Sequence, residues 1–135
     1  MPAHKRRRRK RLPQPNILLA WCALTLYCDF IFFLSSLETP PLGIRLYFHT
    51  DKLAHGVEYA VLGVLLAWTF FITFRFRSWK ALMTAAMVVG ALIAVSDEWH
   101  QSYVPGRNAR LGDLVADGVG LWAGMALWRR RRQNA

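Results

Sequence analysis

Acidic residues are scarce in this chain and absent from both of its ends. The sequence has 8 Asp and Glu against 18 Lys and Arg, giving a net charge of +10, although 54% of its residues are hydrophobic. Basic runs at residues 5–11 and 129–132 each lie beside an apolar stretch. No nucleic-acid-binding motif accompanies this charge, so we expect no nucleic-acid partner. Terminal basic runs beside apolar stretches are typical of the cytoplasmic flanks of a membrane protein, whose partner is the lipid bilayer.

Motifs of established catalytic chemistries are also missing. The chain has no H-E-x-x-H, no cysteine pair at zinc spacing, no Walker phosphate loop and no G-x-S-x-G elbow, so seryl nucleophile chemistry has no support. Its two cysteines, Cys22 and Cys28, are six positions apart in one apolar stretch and lie on different helix faces, so they cannot pair within that helix. Any chemistry must therefore come from carboxylates, histidines and basic side chains.

Four apolar stretches are each long enough to cross ~30 Å of hydrocarbon as a helix. They are Ile17–Leu37, Leu53–Phe74, Lys80–Glu98 and Leu111–Trp128. The first is longer than the ~7–15 apolar residues of a secretory signal and no A-x-A-like site follows it, so we expect a retained anchor. The sequence thus predicts an all-α, four-helix transmembrane bundle at residues 17–128, between basic cytoplasmic tails at 1–16 and 129–135.

The basic residues predict the orientation of this bundle. Most of them lie in the two tails and in the 75–80 loop, which an even number of spans places on one side. The positive-inside rule therefore predicts that both termini are cytoplasmic, in the inner membrane of a bacterium. None of the acidic residues falls on that side. Acidic residues have little influence on the direction of membrane insertion, so their absence from the cytoplasmic side requires another explanation.

Helical spacing gathers polar residues onto single faces near the outward ends of three spans. They are Asp51, His55 and Glu58 in the second span, Asp97, Gln101 and the adjacent Glu98 in the third, and Asp113 with Asp117 in the fourth. Stripes of glycine and alanine continue from these faces in the third and fourth spans and lie beside the polar face of the second. Such stripes let membrane helices approach closely, so we expect the polar ends to converge.

Charged groups at this depth need partners, because an unpaired charge facing hydrocarbon is costly. Carboxylates that share a cleft repel one another, so we expect some to hold a proton, to pair with Lys52, Arg107 or Arg110, or to bind a divalent cation. Asp51 and Asp113 also fit a purely structural role as first-turn acids. The candidate catalytic residues are His55, Glu58, Glu98 and Asp113, and the candidate ligand-binding residues are Asp51, Lys52, Asp97, Gln101, Arg107 and Asp117. The metal and cofactor stay unassigned.

At these positions the sequence resembles the VanZ-like family between about Leu24 and Gly124. The matching residues are Ser35-Ser36, Asp51 to His55, Tyr59, Gly63, Asp97 to Gln101, Val104 to Arg107, Asp113 and Gly120. The resemblance implies a multi-spanning membrane protein, and the family's namesake confers resistance to teicoplanin, a lipoglycopeptide that acts on cell-wall precursors outside the membrane. Many members have asparagine where this chain has Asp117, which adds a carboxylate here.

Two classes of function remain open at this point. In the first, the protein binds a lipid-linked envelope precursor or a lipophilic ligand such as a lipoglycopeptide, and contributes to envelope function or resistance without catalysis. In the second, it is a membrane-embedded acid/base or metal-assisted enzyme acting on a lipid-linked substrate. In that case His55 or Glu98 is the general base and Arg107 holds an anionic group such as phosphate.

Overall fold

The computed structural model describes residues 16–37, 48–107 and 110–134, with residues 48–51 described by their backbone alone. Within these ranges the chain forms four helices and no strand: α1 (Ile17–Ser35), α2 (Phe48–Thr73), α3 (Trp79–Gln101) and α4 (Leu111–Gln133). The predicted all-α, four-helix architecture is confirmed. The basic segment at residues 5–11, Arg45 and the side chain of Asp51 lie outside the described residues.

Local signals in the sequence set the helix ends and the turn between α3 and α4. The Asn16 side chain accepts a hydrogen bond from the Leu19 N–H at 3.2 Å, so Asn16 caps α1. Ser78 caps α3 in the same way, through the Ala81 N–H. The turn after α3 contains Gly106 at φ 81°, a conformation that glycine adopts without strain.

Three of the helices extend beyond the apolar stretches that predicted them, whereas α1 ends two residues before the end of its stretch. α2 begins at Phe48, α3 continues to Gln101, and α4 continues through the arginine run to Gln133. The arginines in the last turn of α4 lie where a helix C-terminus favours positive charge. Near there the Arg132 guanidinium lies 4.3 Å from the centre of the Phe71 ring, which adds a cation–π contact.

α2 is the central helix and contacts each of the other three, most extensively α4. Tyr59, Leu62 and Leu66 of α2 are fully buried, as are Leu121 and Met125 of α4. The two helices run parallel. Lys52 lies beside Asp113 near their starts, and Phe71 lies beside Trp128 near their ends.

Glycines make this parallel pair unusually close. A Cβ placed on Gly120 meets backbone atoms of Gly56 and Ala60, and one placed on Gly124 meets the backbone of Ala60. Gly63 faces the backbone of Leu121 in the same way. α2 and α4 therefore touch backbone to backbone along this stripe, as small residues allow in membrane helices.

The outside of the bundle is apolar, as expected for contact with lipid. Leu26, Leu92 and Val119 are each more than 60% exposed. Three helices are long and apolar enough to cross a membrane: α1, α2 from Lys52 onward, and α3. α4, the predicted fourth span, is not apolar enough by its own composition to count among them, since it carries two aspartates and the arginine run. Because α4 lies beside α2 from one end to the other, it covers the same thickness.

The bundle has two chemically different ends. At one end the Trp21 indole N–H of α1 donates to Thr73 Oγ1 of α2 at 3.1 Å, and Trp79 stacks on Trp128. This end contains the start of α1, the 75–80 loop and the arginines of α4, and we call it the basic end. The opposite end, where α1 and α3 finish and α2 and α4 begin, contains the predicted polar residues, and we call it the acidic end.

Candidate ligand-binding site at the acidic end

The acidic end brings buried polar side chains from α2, α3 and α4 together. Their relative exposure is at most 6%, which is rare for charged residues unless they are paired or ligated. We call them the polar cluster: His55, Asp97, Glu98, Gln101, Asp113 and Asp117. Every member had been singled out from helical spacing. Their burial is consistent with the small-residue stripes, which bring the backbones of α2 and α4 into contact and place Gly90 of α3 against the Leu121 side chain.

The most deeply buried contact of the cluster joins α2 to α4. His55 Nδ1 lies 3.1 Å from Asp117 Oδ1, and the Asp117 side chain is completely buried. Glu98 of α3 lies beside this pair, and one ligating atom from each of the three residues lies within 4.8 Å of the others. The structure therefore assembles an imidazole and two carboxylates from three helices.

Glu98 also has a structural role at the start of α4. Its Oε2 accepts a hydrogen bond from the backbone N–H of Arg110 at 3.1 Å, the residue that precedes the first turn of α4. The Arg110 side chain makes no capping bond to its own helix. Glu98 thus satisfies an N–H group at a helix start from another helix, and this bond fixes the orientation of its carboxylate.

The predicted partner of one carboxylate is Lys52. Its Nζ lies 3.0 Å from Asp113 Oδ1, joining the first turn of α4 to α2. The Asp113 side chain is 6% exposed and that of Lys52 is 26% exposed. Asp113 had been proposed as catalytic and Lys52 as ligand-binding, but this pair also serves a structural role, since it offsets the burial of one carboxylate.

Gln101 connects the polar cluster to α1 through hydrogen bonds. Its amide Nε2 donates to Asp97 Oδ2 at 2.8 Å and to Ser35 Oγ at 3.1 Å. One residue earlier, His100 stacks on Phe32 with ring centres 4.1 Å apart, and its Nε2 lies 3.0 Å from Ser36 Oγ. His100 is thus half-buried against α1.

Arg107, predicted to hold an anionic group, lies within electrostatic reach of Glu58 and is bonded to backbone carbonyl groups. Its guanidinium donates to the carbonyl oxygens of Leu34 and Leu37, both at 3.2 Å. Leu34 lies in the last turn of α1 and Leu37 two residues beyond its end, where carbonyl groups lack the N–H donors of a continuing helix. In this arrangement Arg107 caps α1.

Glu58 and Tyr59 complete the surroundings of the cluster on α2. Glu58 is half-buried and lies within electrostatic reach of His55, Asp97 and Asp117. Tyr59 is 0% exposed and interacts with the same carboxylates, and its hydroxyl has no hydrogen-bond partner among the described residues. Sequence reasoning did not include Tyr59 among the site residues. Its spacing of four residues from His55 was the signal that could have found it.

A groove between α1 and α3 opens to the lipid side of the bundle. Its volume is about 390 Å³, and its walls are mostly apolar side chains of both helices, with four polar residues, Cys28, Asp29, Ser96 and Asp97. It extends from Val89 to Asp97, about 12 Å along α3. Asp29 is exposed and lines this groove. Asp97 belongs to both the groove and the polar cluster.

The apolar exterior, the three membrane-length helices and the buried polar cluster define a multi-spanning membrane protein with a polar site near one end. The chain belongs to the VanZ/LLP1 family, whose model matches residues 16–132. This match covers all four helices except the last residue of α4, and it confirms the resemblance found in the sequence. No curated protein and no solved structure matches the chain.

Proposed function

We propose that this VanZ-like protein binds a lipophilic envelope ligand in the α1/α3 groove and thereby contributes to lipoglycopeptide resistance. The observation that carries the proposal is the groove itself, which is apolar along its length and has carboxylates within it. Its volume lies in the range of about 300–1,000 Å³ that small-molecule sites occupy. An acyl or prenyl chain fits this geometry, because such a chain is apolar and can enter from the bilayer.

The chemistry of the groove selects the polar group of the ligand. Asp29 and Asp97 line it, and Arg107 is bonded to carbonyl groups of α1. Carboxylates repel a phosphate but accept hydrogen bonds from hydroxyl and ammonium groups. We therefore favour ligands that present sugar hydroxyls or an amine beside an acyl chain, as a lipoglycopeptide does, and lipid-linked precursors recognised through their glycan.

The proposed orientation places the acidic end on the outside of the bacterial inner membrane. The support is the positive-inside rule, since the basic end contains the loop arginines and the arginine run of α4. In this orientation the groove opens in the outer half of the bilayer, where lipid-linked cell-wall precursors and lipoglycopeptides meet.

A pair of tryptophan variants on α3 tests the groove. Val89 lines it, whereas Val88 is 54% exposed and is not among the groove residues. We expect Val89→Trp to weaken binding of fluorescent teicoplanin to the protein in nanodiscs by at least about tenfold, and Val88→Trp by less than about twofold. The measurement is fluorescence anisotropy, repeated with the same glycopeptide lacking its acyl chain. Equal binding by both variants would exclude the groove.

A second candidate is acid/base catalysis on a lipid-linked substrate, and the 3.1 Å contact between His55 and Asp117 favours it. A carboxylate beside an imidazole orients the ring and stabilises its protonated form. Teicoplanin resistance of expressing cells separates the two functions. Loss of resistance in Glu98→Gln at normal protein abundance, with Val89→Trp unaffected, would assign the role to the cluster. The reverse pattern would assign it to the groove.

A further inference from the structure

The three residues His55, Glu98 and Asp117 have the geometry of a metal site. One ligating atom from each lies within 4.8 Å of the other two. Metal–ligand distances of about 2.0–2.2 Å place the ligands of one ion about 3–4 Å apart. Small side-chain rotations therefore suffice to bring all three atoms onto one ion.

Two carboxylate oxygens at this place lack hydrogen-bond partners among the described residues. They are Glu98 Oε1 and Asp117 Oδ2. Glu98 is 5% exposed and Asp117 is 0% exposed. A buried carboxylate oxygen without a donor is costly, and two such groups side by side also repel each other. A cation between them removes both costs, which a packing role alone does not.

The charged side chains around His55 also favour a bound cation. Five carboxylates lie at the described part of the acidic end: Glu58, Asp97, Glu98, Asp113 and Asp117. The cationic side chains described there are Lys52, Arg107 and Arg110. Lys52 pairs with Asp113, and Arg107 donates to carbonyl groups. Counted by formal charge, the five carboxylates exceed the three cationic side chains by two, and a dication beside His55 would offset this difference.

From these observations we infer that His55, Glu98 and Asp117 bind a divalent transition-metal ion of the Zn²⁺ or Mn²⁺ type. One imidazole nitrogen with two carboxylate oxygens suits these ions better than Ca²⁺ or Mg²⁺, which prefer oxygen ligands alone. The Arg110 N–H bonded to Glu98 Oε2 holds that ligand in place, as outer-shell partners of metal ligands commonly do. The metal site is independent of what occupies the α1/α3 groove.

Metal analysis of the purified full chain tests the site. The protein is prepared in detergent with an affinity tag free of histidine, incubated with Zn²⁺, desalted and measured by plasma mass spectrometry. We expect about one Zn²⁺ per wild-type chain and less than about a tenth of that in Glu98→Gln and in Asp117→Asn. The matched control is Asp29→Asn, which removes an exposed carboxylate on α1 and should retain the metal.

Two measurements distinguish the loss of a metal ligand from misfolding of a variant. Each variant is compared by circular dichroism and gel filtration, and Co²⁺ substitution of the wild type reports the site by d–d absorption without any variant. Wild-type protein that retains no Zn²⁺ and shows no Co²⁺ spectrum would overturn the inference, as would full retention in both cluster variants. Teicoplanin binding that survives loss of the metal would leave the proposed groove function standing.

Discussion

Replacement of Gly124 by alanine tests the backbone contact between α2 and α4. A Cβ at this position meets the Ala60 carbonyl oxygen, with the carbonyl carbon at 2.8 Å and the Cα at 3.1 Å. All three are backbone atoms, so the clash is relieved only if the two helices move apart. Gly118 is on the same helix, and its Cβ would have no atom within 4 Å. Gly118→Ala is therefore the matched control.

The size of the effect follows from the displacement that the new methyl group requires. Ordinary contact begins near 3.4 Å, and the Ala60 carbonyl oxygen is the nearest of the three atoms. The backbones must therefore separate by on the order of 1 Å, which forfeits about half of the dispersion energy of the affected contacts. Overpacking of this kind costs about 1–3 kcal/mol, and we expect a loss of about 2–3 kcal/mol in the free energy of unfolding for Gly124→Ala. Gly118→Ala should raise the free energy of unfolding by up to about 1 kcal/mol, because alanine is a better helix former than glycine.

The free energy of unfolding is measured by titrating each protein in mild detergent with sodium dodecyl sulfate while following circular dichroism and tryptophan fluorescence. The two alanine variants differ only in where the methyl group is added, so their difference isolates helix contact from helix propensity. If Gly124→Ala is as stable as Gly118→Ala, the backbone contact between α2 and α4 is not present in the folded protein.

Two further predictions concern the acidic end. With Cys22 and Cys28 replaced by alanine, Ser102→Cys should react with a membrane-impermeant maleimide in spheroplasts, whereas Arg77→Cys should react only after permeabilisation; the opposite pattern would reverse the proposed orientation. Gln101→Leu should destabilise the protein by about 1–3 kcal/mol in the same detergent titration, because it leaves two buried acceptors without their donor. Ser102→Ala removes only an exposed hydrogen bond and should cost less than about 0.5 kcal/mol; equal costs would argue against the Gln101 bridge.

Hydropathy predicted the four helices because length and apolar content are local properties of the chain. It underestimated three of their ends, since polar residues end an apolar stretch without ending a helix. α2 begins at Phe48 and α4 continues to Gln133, in both cases through polar or charged turns. The weakest span by composition, α4, proved to have the most extensive contact with the central helix α2.

Helical periodicity predicted which residues of the site share a face but not how the faces meet. His55 and Asp117 were both identified, yet their 3.1 Å contact depends on the relative rotation of α2 and α4. Tyr59 was named only for the family resemblance, and its burial beside the carboxylates depends on the same packing of the helices. The position of Arg107 depended on the path of a short loop, which has no periodicity to interpret.

The parallel arrangement of α2 and α4 has a consequence for biosynthesis. An aspartate near the middle of an inserting helix costs about 2.5–3.5 kcal/mol, and Asp117 lies beyond the first turn of α4, so α4 by itself is a poor substrate for the translocon. Its partner surface on α2 leaves the ribosome two helices earlier. We therefore expect α2 to remain beside the translocon until α4 emerges, so that α4 inserts in contact with α2.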